Sequence, residues 1–420
     1  MKRLFHDSPR KDILVKQAHS DEVLHVSFSK TGKYFCTTSK DCNFKVWLVS
    51  NPVLPIISQS MVKVFRWKYT QYSEFNENDT MLLVSGVKNG TNNAGQIAIF
   101  DIPSFDLLTY VSNEPYDVFG CWFSEDAMLS GSLLWGSGWN STSVVYLNHA
   151  IDSAQSRDHT IQRKLFRYDN HNGSSLRMLR VINFQRPLCL DANICICPSY
   201  PASPISCGRY LAFSAGSQTF MPHEFALKRV SSNIDSSSLP NHDNSLRGAD
   251  LKIDLRGHLV GLAVDPEQMS VFLNVRRWPE DTVIDDPFQP PMPSTELEIR
   301  VVDLNSGKLL DAPIYRGHRA HTSEKNCFFI FLDVSRDFVA SGAEESLCYL
   351  WDRHSAALLR RIEFANVVNC AAFLHNDNGG LLVSVSDDRS LKLSYSLRRF
   401  KTLPKKLRET KVTQLPPELE

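Results

Sequence analysis

Two stretches far apart in the chain share one spacing. Residues 37–47 read TTSKDCNFKVW and residues 341–352 read SGAEESLCYLWD. Each places an acid six residues before a tryptophan, Asp41 before Trp47 and Glu345 before Trp351. Each has a serine just upstream of the acid (Ser39, Ser341) and a histidine about one hairpin earlier (His19, His318). Apolar alternation on either side of a polar turn describes two antiparallel strands joined at that turn. A pattern that recurs describes a repeated unit, and such units bury their faces by stacking on one another.

The spacing is the signature of a WD repeat, the four-stranded blade of a β-propeller. The expected fold is therefore all-β, a single ring of blades. The acid belongs to the turn between the second and third strands, and the histidine to the loop entering the first. A relay of His19, Ser39, Asp41 and Trp47, and a second of His318, Ser341, Glu345 and Trp351, would tie loop, turn and strands together. Such partly buried polar groups each need a partner. A Ser-His-Asp set also suggests a hydrolytic triad, but a nucleophile would occur once and this motif repeats.

Period-two patterning runs along most of the chain and divides into seven blade-like units. They cover residues 23–49, 65–102, 116–148, 176–230, 259–304, 327–352 and 367–396. The count becomes eight if 185–207 hides a degenerate blade. The seventh unit lacks an outer strand of its own. The segment ILVKQ (13–17) precedes the first unit and can supply it, closing the ring by pairing the two chain ends and removing the open sheet edges. The organisation expected is a tail over 1–12, a propeller over 13–396 and a basic, solvated, disordered tail over 397–420. Residues 397–411 of that tail hold seven basic residues and one acid.

Three insertions interrupt the propeller. Residues 279–296, PEDTVIDDPFQPPMPSTE, are Pro-rich and acidic and read as a loop between a second and a third strand. Residues 231–249 are a polar linker. Residues 185–207 carry Cys189, Cys195, Cys197 and Cys207, but their spacing is not that of a zinc knuckle, so a plain loop is expected there rather than metal. Cys36, Cys121, Cys327, Cys348 and Cys370 fall within strand patterns, as buried reduced thiols of a cytoplasmic protein would, with a nuclear pool allowed by the basic tail. Charge balances at 46 basic against 46 acidic residues, so no global field favours nucleic acid or a membrane surface. No Gly-rich phosphate loop and no spaced metal pair occurs, so neither a cofactor nor intrinsic catalysis is expected.

The strings YDVFGCW (116–122), RRWPEDTVIDDPFQPP (276–291) and CFFIFLDVSRDFVASGAE (327–344) are far more specific than the repeat itself. With HSDEVLHVSFSKTGKYFCTTSKDCNFKVW (19–47), they make the chain resemble the F-box/WD repeat proteins from about residue 12 to residue 396. That family supplies substrate receptors to cullin-RING ubiquitin ligases. The resemblance implies a propeller that docks protein targets for ubiquitination, with an F-box helical unit binding a Skp1-type adaptor. The chain departs from the family in leaving no room for an F-box before the first blade. The closing LPPELE (415–420) has the look of an F-box opening but ends at once. The family's long helical insertion is also missing.

A second adaptor route is open. WD proteins dock the damaged-DNA-binding adaptor of cullin-4 ligases through a WD-x-R motif, and Trp351-Asp352-Arg353 approximates it, with His354 where the motif has arginine. For target docking, aromatic and arginine residues in loops are the natural hot spots. Those gathered on one face are Trp135, Trp139, Arg276, Arg277, Trp278, Arg319 and His321. The competing reading is a WD scaffold without any ligase link.

Overall fold

Blade 1 shows why this sequence needs neighbours on both sides. Side chains alternate across a strand, so a strand apolar at every position must be covered on both faces. Phe35 and Trp47 point one way and join a cluster with Ile13, Val15 and Leu393. Cys36, Phe44 and Val46 point the other way and pack on Trp67, Phe75, Leu82 and Val84 of the next blade. All these side chains are essentially inaccessible. Each large apolar group so buried stabilises the stack by about 1.5–3 kcal/mol.

The computed structural model describes residues 7–90, 94–150, 163–186, 205–230, 246–323, 326, 328–410 and 412–414. Its strands form seven antiparallel-built sheets, each a blade. Blade 1 is Val23–Phe28, Tyr34–Ser39, Asn43–Leu48 and Asn51–Ser60. Blade 2 runs from Trp67–Phe75 to Leu107–Asn113, and blade 3 from Cys121–Trp122 to Arg163–Asn170, with Leu246–Arg247 added in parallel outside it. Blade 4 opens with Arg177–Phe184, blade 5 with Gly257–Val264, blade 6 with Leu332–Val334 and blade 7 with Val368–Phe373. Phe184 pairs directly with Gly208, so the insertion after Phe184 hangs from a hairpin within blade 4 and leaves no gap for an eighth blade. Cys189, Cys195 and Cys197, the linker residues 231–245, Cys327 and the terminal 415–420 lie outside the described residues.

The ring closes as the sequence predicts. Pro9–Lys16 pairs antiparallel with Leu391–Ser396 and becomes the outer strand of blade 7, starting four residues earlier than ILVKQ suggests. Arg360 of blade 6 then clasps this strand, its guanidinium bonding both carboxylate oxygens of Asp12. The segment after Ser396 differs from the disordered tail expected. It forms Leu397–Thr402, Lys405–Glu409 and Val412–Gln414, and the last pairs in parallel with the N-terminal strand. Leu403 and Leu407 are buried in the main core and Phe400 packs beside them, while Arg398, Lys401, Lys405, Lys406 and Arg408 face outward and half-buried Arg399 pairs with Asp377. Two first strands are shorter than their patterns. In blade 3 the run 116–124 is cut to Cys121–Trp122, because Phe119 and Gly120 both take positive φ, 66° and 82°. In blade 6 the run 327–335 is cut to Leu332–Val334.

Candidate functional site

The turns between second and third strands and the loops entering first strands share one end of the propeller, here called the upper face. The WD motif builds part of it. In blade 1, His19 Nδ1 lies 2.9 Å from Asp41 Oδ2 and His19 Nε2 lies 2.8 Å from Thr37 Oγ1. Trp47 Nε1 donates to the same Thr37 oxygen at 2.9 Å. One assignment satisfies every group: the indole N–H donates to Thr37, the Thr37 hydroxyl to Nε2, and Nδ1–H to the carboxylate. Burial lowers the His19 pKa more than Asp41 raises it, so the ring is neutral at pH 7. Burial also opposes ionisation of Asp41. Bonds from His19 and from the Asn43 and Ser20 N–H groups overcome it and hold the carboxyl well below its ordinary range.

Ser39 is therefore not the relay hydroxyl. It donates to Glu22 O at 2.7 Å and accepts from Asp41 N, which fixes the turn instead. Blade 6 departs further. Trp351 Nε1 donates to Arg316 O, and Glu345 accepts from the Tyr349 hydroxyl at 2.6 Å. His318 and Ser341 are both held by Asn274 of blade 5, at 3.0 and 2.8 Å. The loop-capping role that Asp41 plays in blade 1 passes here to Glu344, which accepts from the N–H groups of His321 and Thr322. These groups tie the scaffold together and expose nothing for chemistry.

The target-face candidates divide. Trp135, which ends the strand Ala127–Trp135, and Trp139, in the loop after it, are 58% and 65% exposed. Arg319 and His321 are exposed and Arg277 is half-buried on the same face. Arg276 and Trp278 are buried, contrary to the expectation. Arg276 donates to Ser294 O at 3.1 Å and Thr322 O at 2.6 Å, pinning the foot of the 279–296 insertion to the next loop. Trp278 packs against His223 and His258. The 279–296 insertion does more than link two strands. It crosses the face until Phe288 meets Trp139 edge-on, with ring centroids 5.1 Å apart. Val283 and Met292 are three-quarters exposed. Isolated large apolar residues in a Pro-rich loop, out of any alternation, were the signal for this. Beside Trp135 lies a notch of about 250 Å³, lined partly by Phe220, Met221 and the Arg177–Asp117 ion pair.

The lower face carries Trp351-Asp352-Arg353. Trp351 is wholly buried, and Asp352 is spent on the N–H and hydroxyl of Ser355. Arg353 is paired with buried Asp265 at 2.6 Å. Only His354 stands open to solvent. Cys36, Cys42, Cys121, Cys207, Cys348 and Cys370 are buried and unbridged. Among the described residues no group of His, Cys, Asp and Glu is placed to hold a metal ion, and no helix is long and apolar enough to cross a membrane.

Residues 10–47 match the WD domain, G-beta repeat family. Over 96% of its length the chain is 32% identical to F-box/WD repeat-containing protein 5 of Rattus norvegicus, covering 84% of that protein. The proteins of the same name from Mus musculus and Homo sapiens match at the same identity, with 83% and 84% of each covered. The chain belongs to the F-box/WD repeat-containing protein 5 family. The aligned stretch with the rat protein spans 480 residues against 420 here, so the relatives carry internal segments that this family member lacks. A propeller of this family, with aromatic loops on one face, is a protein-interaction module. Among the described residues its helices, such as Met61–Phe65, are five or six residues long, and none makes a helical unit of F-box size.

Proposed function

We propose that this propeller is the target-recognition subunit of a cullin-RING ubiquitin ligase. Its upper face would hold the protein to be ubiquitinated and its lower face would meet the adaptor. One observation carries the reading. Trp135, Trp139, Phe288, Val283 and Met292 are all exposed on upper-face segments, with Trp139 and Phe288 in contact. Aromatic groups of this kind supply most of the energy of protein–protein contacts. Family membership supports the ligase link, through the resemblance to ligase receptors already drawn.

The adaptor could be of the cullin-4 damaged-DNA-binding type, or of the Skp1 type. Arg353 is already engaged by Asp265, which favours the rival reading of a scaffold with no ligase link. Affinity purification of the tagged chain from cells decides between them. Recovery of an adaptor and a cullin supports the receptor. Trp139→Ala with Phe288→Ala should then lose targets while keeping the adaptor. His354→Glu should do the reverse, since His354 is the open residue of the motif. Recovery of other proteins with neither adaptor nor cullin would establish the scaffold instead.

A further inference from the structure

At the axis of the ring, the upper end of the channel is a cup of about 300 Å³ walled by Tyr69, Tyr116, Phe119, Phe328, Phe329 and Phe331. Those walls come from the entries to blades 2, 3 and 6, and Leu24 and Asn369 of blades 1 and 7 complete the lining. The rings stand at steep angles to one another. Tyr69 and Tyr116 meet at 85°, and Phe119 and Phe329 at 77° with centroids 5.2 Å apart. Phe119 reaches its place only through a positive φ of 66°. For an aromatic residue that backbone is unfavourable and persists where the surroundings impose it.

Charge on the rim is unequal. Among the described residues Lys40 is the one cation lining the cup, and it bonds Glu22 at 3.0 Å. Asp21 and Asp387 act on the same ammonium from further off, so among the described residues negative charge predominates beside it. Asp387 is held by Asn369 Nδ2 at 2.6 Å, which fixes it beside the cup. The Glu22–Lys40 pair is half exposed and is therefore worth little, so a guest can rearrange it. Deeper in the channel, Arg180 lies 4.7 Å over the Tyr72 ring with Glu74 as its counter-charge, so the rim carboxylates are not spent on it.

We infer that this mouth binds one cationic side chain, an arginine or a lysine, presented by a partner protein. The inference rests on the upper face being the target-docking side and not on the ligase link. Ring faces attract a desolvated cation, and the carboxylates supply charge-assisted hydrogen bonds to its N–H groups. An apolar guest would cover those carboxylates without pairing them, at a cost in desolvation. A phosphate would meet an excess of negative charge.

The test uses the full chain and blocked peptides Ala-Ala-X-Ala-Ala, titrated by calorimetry, with X arginine, lysine, citrulline, norleucine or phosphoserine. The arginine and lysine peptides should bind, and citrulline and norleucine should bind at least about tenfold more weakly, the equivalent of 1.4 kcal/mol. Phe329→Leu keeps apolar volume but removes a ring face, and Asp387→Asn removes a charge. Each should weaken arginine binding by about fivefold or more with the melting temperature preserved. Leu54→Ala, on the outer strand of blade 1, should leave it unchanged. Norleucine binding as tightly as arginine would make the cup a plain apolar socket and overturn the inference. So would preference for phosphoserine, indifference to both variants, or no binding of any peptide by about 10 mM. Because only the purified chain and peptides are present, the outcome is independent of whether an adaptor is ever recovered from cells.

Discussion

Arg353 Nη2 lies 2.6 Å from Oδ2 of Asp265, across the boundary between blades 6 and 5. The same guanidinium donates to Ser335 O at 3.2 Å and covers the Phe272 ring. The Asp265 carboxylate is fully buried, and its other oxygen takes the N–H groups of Met269 and Ser270. The arginine at the end of the tryptophan strand is thus a clamp between blades before it is anything else.

Replacing it tests the clamp. Arg353→Ala should strand a buried carboxylate and destabilise the fold by about 3 kcal/mol, the lower end of what breaking a buried pair costs. Urea unfolding measures this directly. An unchanged midpoint would show that the pair contributes nothing and would free Arg353 for a purely surface role. The variant is consequently a poor probe of adaptor capture, and exposed His354 is the better one.

In the relay of blade 1, Thr37 rather than Ser39 should be the sensitive hydroxyl. Thr37→Val leaves the shape but removes the group that joins Trp47 to His19, stranding two buried polar atoms. The expected loss is about 1–3 kcal/mol. Ser39→Ala should cost less, since the carbonyl it bonds and the N–H it accepts lie at a turn near solvent. Chemical denaturation of the two variants side by side checks the order, and a larger loss for Ser39→Ala would reassign the relay.

The sequence carried this distinction. Counting back ten residues from each tryptophan lands on Thr37 and on Ser341. The strand register agrees, because Thr37 pairs with Lys45 and Ser341 with Tyr349, each two residues before its tryptophan. Seeking the serine nearest the acid broke that equivalence in blade 1. The seven blades and the closing strand were legible because alternation and turns are local signals. Burial of Arg276 was not, since its acceptors are backbone carbonyls of Ser294 and Thr322, which leave no trace in composition. The tail was misread by its charge. Phe400, Leu403 and Leu407 recur at helical spacing, and that stripe docks while Arg398, Lys401, Lys405, Lys406 and Arg408 stay outside.

Stability should fall as the pH drops below 6.5. Burial keeps four histidines neutral: it lowers His19, lowers His25 well below the ordinary value, and takes His258 and His318 down to about 3. An unfolded histidine titrates near 6.5, so below that pH the unfolded chain takes protons the folded one refuses. Each such histidine costs at most about 1.4 kcal/mol per pH unit. Four groups oppose the trend. Burial raises Asp387 to about 6 and also raises Glu74 and Asp117, and Asp333 raises His375 against the effect of burial, so all four favour the folded form as acid is added. The unfolded histidines take up their protons from about 6.5 downward, and they set the sign of the net change over this range. Melting temperatures taken from pH 7.5 to 5.5 should decline, and a flat or rising profile would contradict the buried neutral state of these rings.

Deleting residues 1–16 should open the ring. The deletion removes the outer strand of blade 7, with its pairing to Leu391–Ser396 and the parallel contact of Val412–Gln414. It also removes Ile13 and Val15, both wholly buried, worth together about 3–6 kcal/mol of apolar burial. Arg360 of blade 6 and Ser394 of blade 7 then lose Asp12, their shared partner. Leu391–Ser396 would be left as an exposed edge, a template for pairing with other chains. The truncated protein should therefore melt much earlier and associate on concentration, as calorimetry and light scattering would report. To separate loss of closure from loss of mass, Asp12→Ala should break the clasp to Arg360 and the bond from Ser394 while keeping the strand, and cost about 1–2 kcal/mol without association. A truncated chain that melts normally and stays monomeric would show that the ring holds without its N-terminal strand.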